Sequence, residues 1–314
     1  MSLTAAIAAP RETWLRRVSD VLVARRGLYL MLLLVPPLLW LGIVYLGSLF
    51  ALLMESFYSI DEFSGTIVRE PTLKTYAELF TPANLDVILR TFSVSVIVTL
   101  LSAVIAYPIA YYAARYARGR VKAAFYLAVM MPLWSSYLVK VYAWKLLLAK
   151  EGIVGWVMTE LRLSWLLDAW LSLPVVGGPS LSVSYTGMVL VFLYLWTPFM
   201  ILPLQAALER VPGSLIEASG DLGAHPRQTF WKVIFPLALP GLIAGAIFTF
   251  SLTLGDYIVP QIVGPSSLIL GQVVYSQQGN AGNIPLAAAF SVVPIVIMGV
   301  FLTIAKRMGA FDAL

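Results

Sequence analysis

Six long stretches of apolar residues, separated by short polar segments, dominate the sequence. A helix that crosses the roughly 30 Å hydrocarbon core of a bilayer needs about 20 mostly apolar residues, and each stretch meets this length. The stretches are too long and too continuous for the strands of an outer-membrane barrel. The pattern therefore predicts six transmembrane helices, at about residues 27–54, 87–114, 123–147, 183–207, 236–258 and 285–305.

The amino-acid composition excludes a water-soluble domain. Of the 314 residues, 60% are hydrophobic and 12% are charged, and the mean hydropathy is +0.87, whereas soluble domains are nearer half apolar and about a quarter charged. The chain has no cysteine, and His225 is its single histidine, so disulfides, thiolate chemistry and a His-rich metal site are excluded. We expect an all-α integral membrane protein with no catalytic residue and no resident metal.

The distribution of positive charge predicts how the helices are oriented. Lys and Arg accumulate in the cytoplasmic loops of membrane proteins. With a cytoplasmic N-terminus, fourteen of the 21 Lys and Arg residues fall in cytoplasmic segments and four fall outside. We therefore expect both termini in the cytoplasm, as tails 1–26 and 307–314, and a periplasmic loop at 55–86. The net charge of +5 is explained by this topology and requires no nucleic-acid partner.

The segment between the fourth and fifth predicted helices, residues 209–235, carries the most informative local pattern. Apolar and small residues recur at helical spacing, and Ser214 followed by Glu217 fits a capping box. Gly223 suits the C-terminal turn of a helix, and Pro226 suits the start of the next one. The pattern predicts two short helices that meet at a turn, although a plain interfacial linker would have similar features.

The spacing within this segment resembles the EAA loop of binding-protein-dependent ABC importer permeases. That family's pattern is E-A-A, three residues, G, nine residues and I-x-L-P. Here Glu217-Ala218-Ser219 is followed after three residues by Gly223 and, after nine more, by Val233-Ile234-Phe235-Pro236. Ser219, Val233 and Phe235 depart from the pattern conservatively. The stretch from Met131 to Trp144 is similar to the spermidine/putrescine branch of these permeases.

The resemblance implies a type I ABC importer permease fold, with the shared transmembrane domain at residues 87–306, in the bacterial inner membrane. In the family, the first helix of the loop is a coupling helix that inserts into a groove on a cytoplasmic ATPase. The residues that the resemblance assigns to ATPase coupling are Glu217, Ala218, Ser219, Asp221, Leu222, Gly223 and Pro236.

The same resemblance predicts the partners. They are a cytoplasmic ATPase dimer, a second and different permease, a periplasmic solute-binding protein and the lipid bilayer. The sequence contains no G-x-x-x-x-G-K-[ST] phosphate loop. We therefore expect a transport subunit that is not an enzyme and binds no cofactor, with ATP and Mg²⁺ held by the partner ATPases.

Polar and aromatic residues in or beside the predicted helices are candidates for a solute pathway. A charge at the middle of a membrane helix costs about 2.5–3.5 kcal/mol, so each one needs a reason. Asp256 is the only acid inside a predicted span, either as a helix-end carboxylate bonded to backbone or as a ligand or gate contact. For Lys140, extension towards the outer interface is the alternative, and for the aromatic residues it is ordinary packing. The candidates are Trp134, Tyr137, Lys140, Tyr194, Trp196, Asp256 and Tyr257.

The charges near the outer side leave the substrate class open. Loop 55–86 has a net charge of −4, which, with Asp256, favours a cation such as putrescine or spermidine. Arg90, Lys140 and Lys145 favour an opine, an amino-acid derivative or another small organic solute. A stand-alone secondary transporter is disfavoured because the sequence shows no internal repeat and a single intramembrane acid.

Overall fold

The computed structural model describes Trp14 and residues 26–61 and 63–307. The rest of the predicted tails 1–26 and 307–314, and Glu62 of the acidic loop, lie outside the described residues. The chain divides into two units, Met1–Glu55 and Ser56–Leu314.

The first unit contains one long helix, formed by α1 (Arg26–Leu39), a π-helical turn (Trp40–Leu46) and α2 (Gly47–Glu55). Pro36 and Pro37 lie in α1. Each lacks a backbone N–H, and the helix changes to π-helical bonding within a turn after them. Residues Tyr29–Glu55 are long and apolar enough to cross a membrane, which coincides with the first predicted span.

The second unit begins with a small segment outside the membrane-spanning helices. Strands β1 (Ser59–Ile60) and β2 (Ile67–Val68) form an antiparallel hairpin in which Ser59 pairs with Val68 and Ile60 with Ile67. Helix α3 (Lys74–Leu79) follows. The hairpin is a small exception to the predicted all-α class, and it lies in the acidic loop 55–86.

The remainder of the second unit is helical. Its helices are α4 (Pro82–Arg115), α5 (Gly119–Trp134), α6 (Tyr137–Leu147), α7 (Ile153–Glu160), α8 (Ser164–Leu171), α9 (Tyr185–Arg210), α10 (Gly213–Asp221), α11 (Pro226–Thr229), α12 (Phe235–Leu254), α13 (Ile258–Ile262), α14 (Leu270–Gly279) and α15 (Ile284–Arg307), with a 3-10 turn at Leu181–Val183 and a π-helical turn at Phe230–Ile234. Four candidate spans lie here, namely α4, α9, the continuous helix Pro226–Leu254 and α15.

The third predicted span, 123–147, is a broken helix. Helices α5 and α6 meet at an angle of 95°, and Ser135 and Ser136 form the break. The carbonyl oxygen of Pro132, in the last turn of α5, accepts hydrogen bonds from Ser135 Oγ at 2.9 Å and from Lys140 Nζ at 2.9 Å. Counted as one broken span, the pair brings the described part of the chain to the predicted six.

Helices α4, α9 and α12 pack together as the core of the second unit. Gly241 and Gly245 let α12 approach α9 closely. A Cβ atom at Gly241 would lie 2.4 Å from the Cβ of Ala207, and one at Gly245 would lie 2.7 Å from the Sδ of Met200. Small residues at such contacts are typical of helix packing in membranes. The predicted coupling loop follows the C-terminal end of α9, and the pathway candidates Tyr194 and Trp196 lie near the middle of this helix.

Candidate functional site

The segment between α9 and α12 forms two helices separated by a tight turn. Gly223 has a φ of 77°, in the left-handed region that favours glycine. The N–H of Ala224 donates to the carbonyl oxygen of Ser219 at 3.0 Å, a bond typical of helices that end at such a glycine. The next helix begins at Pro226. Both the predicted turn and the predicted helix start are confirmed.

Two details of the predicted loop are wrong. Helix α10 begins at Gly213, with Pro212 at its N-cap, so Ser214 lies inside the first turn. A capping side chain must precede the helix, and the predicted capping box therefore does not form. The second helix is also not short, because α11 continues through the π-helical turn into α12 as the single helix Pro226–Leu254.

Pro236 lies inside this continuous helix, directly after its π-helical turn Phe230–Ile234. A proline cannot donate to the carbonyl four residues earlier, and its ring crowds that carbonyl. The wider π-helical turn accommodates this locally. The end of the EAA-like pattern thus marks a change in helix geometry rather than the start of a new helix.

One side of α10 is exposed, and the other side contacts neighbouring helices. Ile216 packs against a buried cluster that includes Leu204 of α9 and Ile234. The hydroxyls of Ser219 and Thr229 share a hydrogen bond of 2.8 Å, which joins α10 to α11. On the free side, the exposed residues are Glu217, Ala218, Asp221, Leu222 and Gly223. Leu222 is 88% exposed, so an apolar side chain is available to a partner.

A polar network that the sequence reasoning missed fixes the end of α9. Glu209 Oε1 accepts from Lys122 Nζ at 2.9 Å and from Tyr126 Oη at 3.0 Å. Arg115 Nη2 donates to the carbonyl oxygen of Val211 at 3.1 Å. The network ties α4 and α5 to the point where α10 begins. The sequence did contain a signal for this network. Glu209 is an acid at the end of an apolar helix, and a basic loop is predicted on the same side of the membrane.

Three of the pathway candidates come together beside the middle of α9, where Trp196 lies. The rings of Tyr137 and Trp196 stack, with centroids 5.9 Å apart and planes at 17°. The Tyr137 hydroxyl donates to Asp256 Oδ2. Asp256 Oδ1 accepts from the N–H groups of Ile258 at 2.8 Å and Val259 at 3.1 Å. The carboxylate therefore links α6 to the segment that follows α12.

The predicted position of Asp256 inside the fifth span is wrong. Helix α12 ends at Leu254, and Gly255 is its C-cap. Asp256 lies beyond the helix, where its carboxylate binds the backbone N–H groups that open α13. Of the two readings of this acid, the structure supports the helix-end carboxylate, with Tyr137 as an additional partner.

The other pathway candidates lie in separate groups. Tyr194 packs on Trp144 with ring centroids 5.3 Å apart. Tyr257 stacks on Tyr275 at 5.1 Å and 11°, and both rings line a cleft of about 410 Å³. The sequence analysis did not select Tyr275, because an aromatic residue in a short polar helix gives no signal of its own.

Lys140 and Trp134 do not join these groups. The Lys140 ammonium binds the carbonyl oxygen of Pro132, and Trp134 is 78% exposed. The structure therefore joins Tyr137, Trp196 and Asp256 by direct contacts, and the remaining candidates make their own, different contacts.

Comparison with known proteins identifies the family. The model of the binding-protein-dependent transport system inner membrane component matches residues 106–311. The chain is 56% identical over 306 residues to the inner membrane ABC transporter permease protein YdcU of Escherichia coli K12, covering 98% of each protein. It is 29% identical over 239 residues to the spermidine/putrescine transport system permease protein PotB of the same organism, covering 75% of this chain and 82% of PotB.

The fold agrees with these sequence matches. A crystal structure of a bacterial ABC transporter involved in the import of the acidic polysaccharide alginate contains a chain that superposes with a TM-score of 0.68 at 16% identity, covering 93% of this chain and 98% of that one. The matched family is a transport component and not an enzyme. The chain therefore belongs to the binding-protein-dependent transport system inner membrane component family, as a multi-pass permease subunit of an ABC importer.

Proposed function

We propose that this chain forms half of the importer's translocation pathway and that α10 is the coupling helix through which an ATPase subunit drives it. The observation that carries the proposal is the geometry of α10, which is fixed to α9 and α11 on one side and exposed on the other. Glu217 would make a charged contact with the ATPase, and Leu222 would enter its groove. Ala218, Ser219 and Gly223 are small enough to permit close approach.

The attachment of α10 explains how a push would be passed on. Ile216 and the hydrogen bond between Ser219 and Thr229 join α10 to α9 and to the helix Pro226–Leu254. A displacement of α10 therefore moves both helices together. Two ATPases that bind ATP and Mg²⁺ and close on each other would bias the pathway between its inward-open and outward-open states.

We also propose that the solute is a polyamine delivered by a periplasmic binding protein, with a second, different permease forming the other half of the pathway. The name of PotB supports this substrate class. Two of the three cations that favoured a different solute are used within the fold. Lys140 binds the Pro132 carbonyl oxygen, and Arg90 binds Asp86 and, at 3.0 Å, the carbonyl oxygen of Leu268. The net charge of −4 on loop 55–86 supports a cation.

The coupling role is tested by charge reversal in α10. We expect Glu217→Arg to insert and accumulate normally but to abolish ATP-driven uptake, because a cation replaces the carboxylate at the ATPase contact. Glu160→Arg is the matched control, since it makes the same charge change on α7, outside the coupling loop. Uptake is measured in cells that carry the complete transporter. Wild-type uptake by Glu217→Arg, or equal losses in both variants, contradicts the coupling role.

A further inference from the structure

Helix α8 (Ser164–Leu171) presents an apolar face outwards. Trp165, Leu166 and Trp170 are 66%, 49% and 48% exposed, and Ala169 between them is also exposed. Side chains one, four and five positions apart on a helix share one face. These four residues define the outer face of α8, and none of them is charged.

The polar residues of α8 lie on the side opposite its outer face. Leu167 and Leu171 pack against a buried cluster that includes Val191 and Leu195 of α9, while Ser164 and Asp168, with Ser172 directly after the helix, line a cleft of about 480 Å³. A helix on the surface of a soluble protein has the reverse arrangement, with its apolar stripe inwards and its polar face towards water. The outer face of α8 is therefore suited to an apolar surrounding.

A contact with a membrane-spanning helix fixes the position of α8 along the membrane normal. Trp170 Nε1 donates to Thr186 Oγ1 at 3.0 Å. Thr186 lies in the first turn of α9, which spans Tyr185–Arg210. The outer face thus lies at the level where α9 leaves the hydrocarbon core, at the end remote from α10. Tryptophan is enriched at this level of membrane proteins, because its ring is apolar and its N–H is polar.

We propose that the outer face of α8 is embedded in the boundary between lipid headgroups and acyl chains, in the leaflet remote from α10. A lipid surface fits this face because two of its four residues are tryptophans at the level where α9 leaves the hydrocarbon core, and tryptophan is enriched at that level. Two exposed indoles and a leucine supply the apolar contact, and the cleft on the opposite side keeps the polar groups of α8 out of the lipid.

The absence of cysteine from the chain makes a direct test possible. Ala169→Cys places a label on the outer face, and Ser164→Cys places one on the opposite, cleft-lining side of the same helix. Both positions are exposed, and both changes are small. Each full-length variant is labelled with the fluorophore NBD and reconstituted into nanodiscs of phosphatidylethanolamine and phosphatidylglycerol. The quenchers are lipids with a nitroxide near the top of the acyl chain and, separately, aqueous iodide.

The proposal predicts severalfold stronger nitroxide quenching at Ala169→Cys than at Ser164→Cys, and the reverse order for iodide. Equal nitroxide quenching at the two positions, or iodide quenching at Ala169→Cys as strong as at Ser164→Cys, places the outer face in water and overturns the proposal. The proposal also fails if the Ala169→Cys label ignores the lipid nitroxide and responds only to added periplasmic binding protein, because the occupant is then a protein.

Discussion

Lys140 is a charged residue in a membrane span, and its side chain binds the protein's own backbone. Its ammonium donates to the carbonyl oxygen of Pro132 at the bend between α5 and α6. Carbonyls in the last turn of a helix lack intrahelical donors, and an unpaired backbone group within a membrane costs several kcal/mol. Ser135 Oγ also donates to this oxygen, and we therefore interpret Lys140 and Ser135 as stabilising the bend together, with Lys140 not contacting the solute.

This interpretation predicts the effect of removing the ammonium. We expect Lys140→Met to lower the free energy of unfolding by about 1.5–3 kcal/mol, the range for a hydrogen bond with one charged partner. Thermal unfolding of the detergent-solubilised chain measures the loss, and Lys145→Met, at an exposed position of the same helix, is the control. A raised KM for uptake with unchanged stability would instead identify Lys140 as a solute contact.

The end of α10 depends on one backbone conformation. Gly223 has a φ of 77°, and an alanine in this region costs about 1 kcal/mol. Gly220 lies inside α10, where an added Cβ meets no atom within 4 Å and an alanine stabilises the helix by about 0.5–1 kcal/mol. We expect Gly223→Ala to speed amide hydrogen exchange across residues 213–222 and Gly220→Ala to slow it. Opposite or equal shifts would contradict the role of the turn.

The elements that the sequence predicted well are those whose signals are local. Six apolar stretches were enough to place the spans, and Gly223 and Pro226 were enough to place the turn. The start of α10 was mispredicted because the Ser214–Glu217 spacing matches a capping box, whereas the helix begins at Gly213 with Pro212 at its N-cap. The bend between α5 and α6 follows Pro132, a residue that is visible in the sequence. Its angle of 95° could not be predicted from the sequence.

The candidate site shows the same limit. The spacing from Glu217 to Pro236 identified the loop, because residues close in sequence form it. The grouping of Tyr137, Trp196 and Asp256 joins segments that are far apart in sequence, and single residue types could not reveal it. Glu209 was overlooked because two of its three side-chain partners, Lys122 and Tyr126, lie on another helix, and only Gln205 is on α9.

At the scale of the whole molecule, this chain is expected to work as part of a larger assembly. We predict that the tagged chain, expressed in its native host and purified in mild detergent, copurifies with an ATPase and a second, different permease. We also predict that mass spectrometry of the associated binding protein finds a polyamine. Recovery of this chain alone, still transporting in liposomes without ATP, would contradict the assembly. An opine or amino-acid derivative in the binding protein would contradict the substrate only.

The continuous helix Pro226–Leu254 has 29 residues and is therefore about 43 Å long. Gly241, where an added Cβ would lie 2.4 Å from the Cβ of Ala207 in α9, is near its midpoint. A rod that pivots near its midpoint moves its two ends by almost equal distances in opposite directions, and a tilt of about 10° displaces each end of this one by about 4 Å. A tilt of the helix about that contact would therefore narrow the space beside one of its ends while it widens the space beside the other.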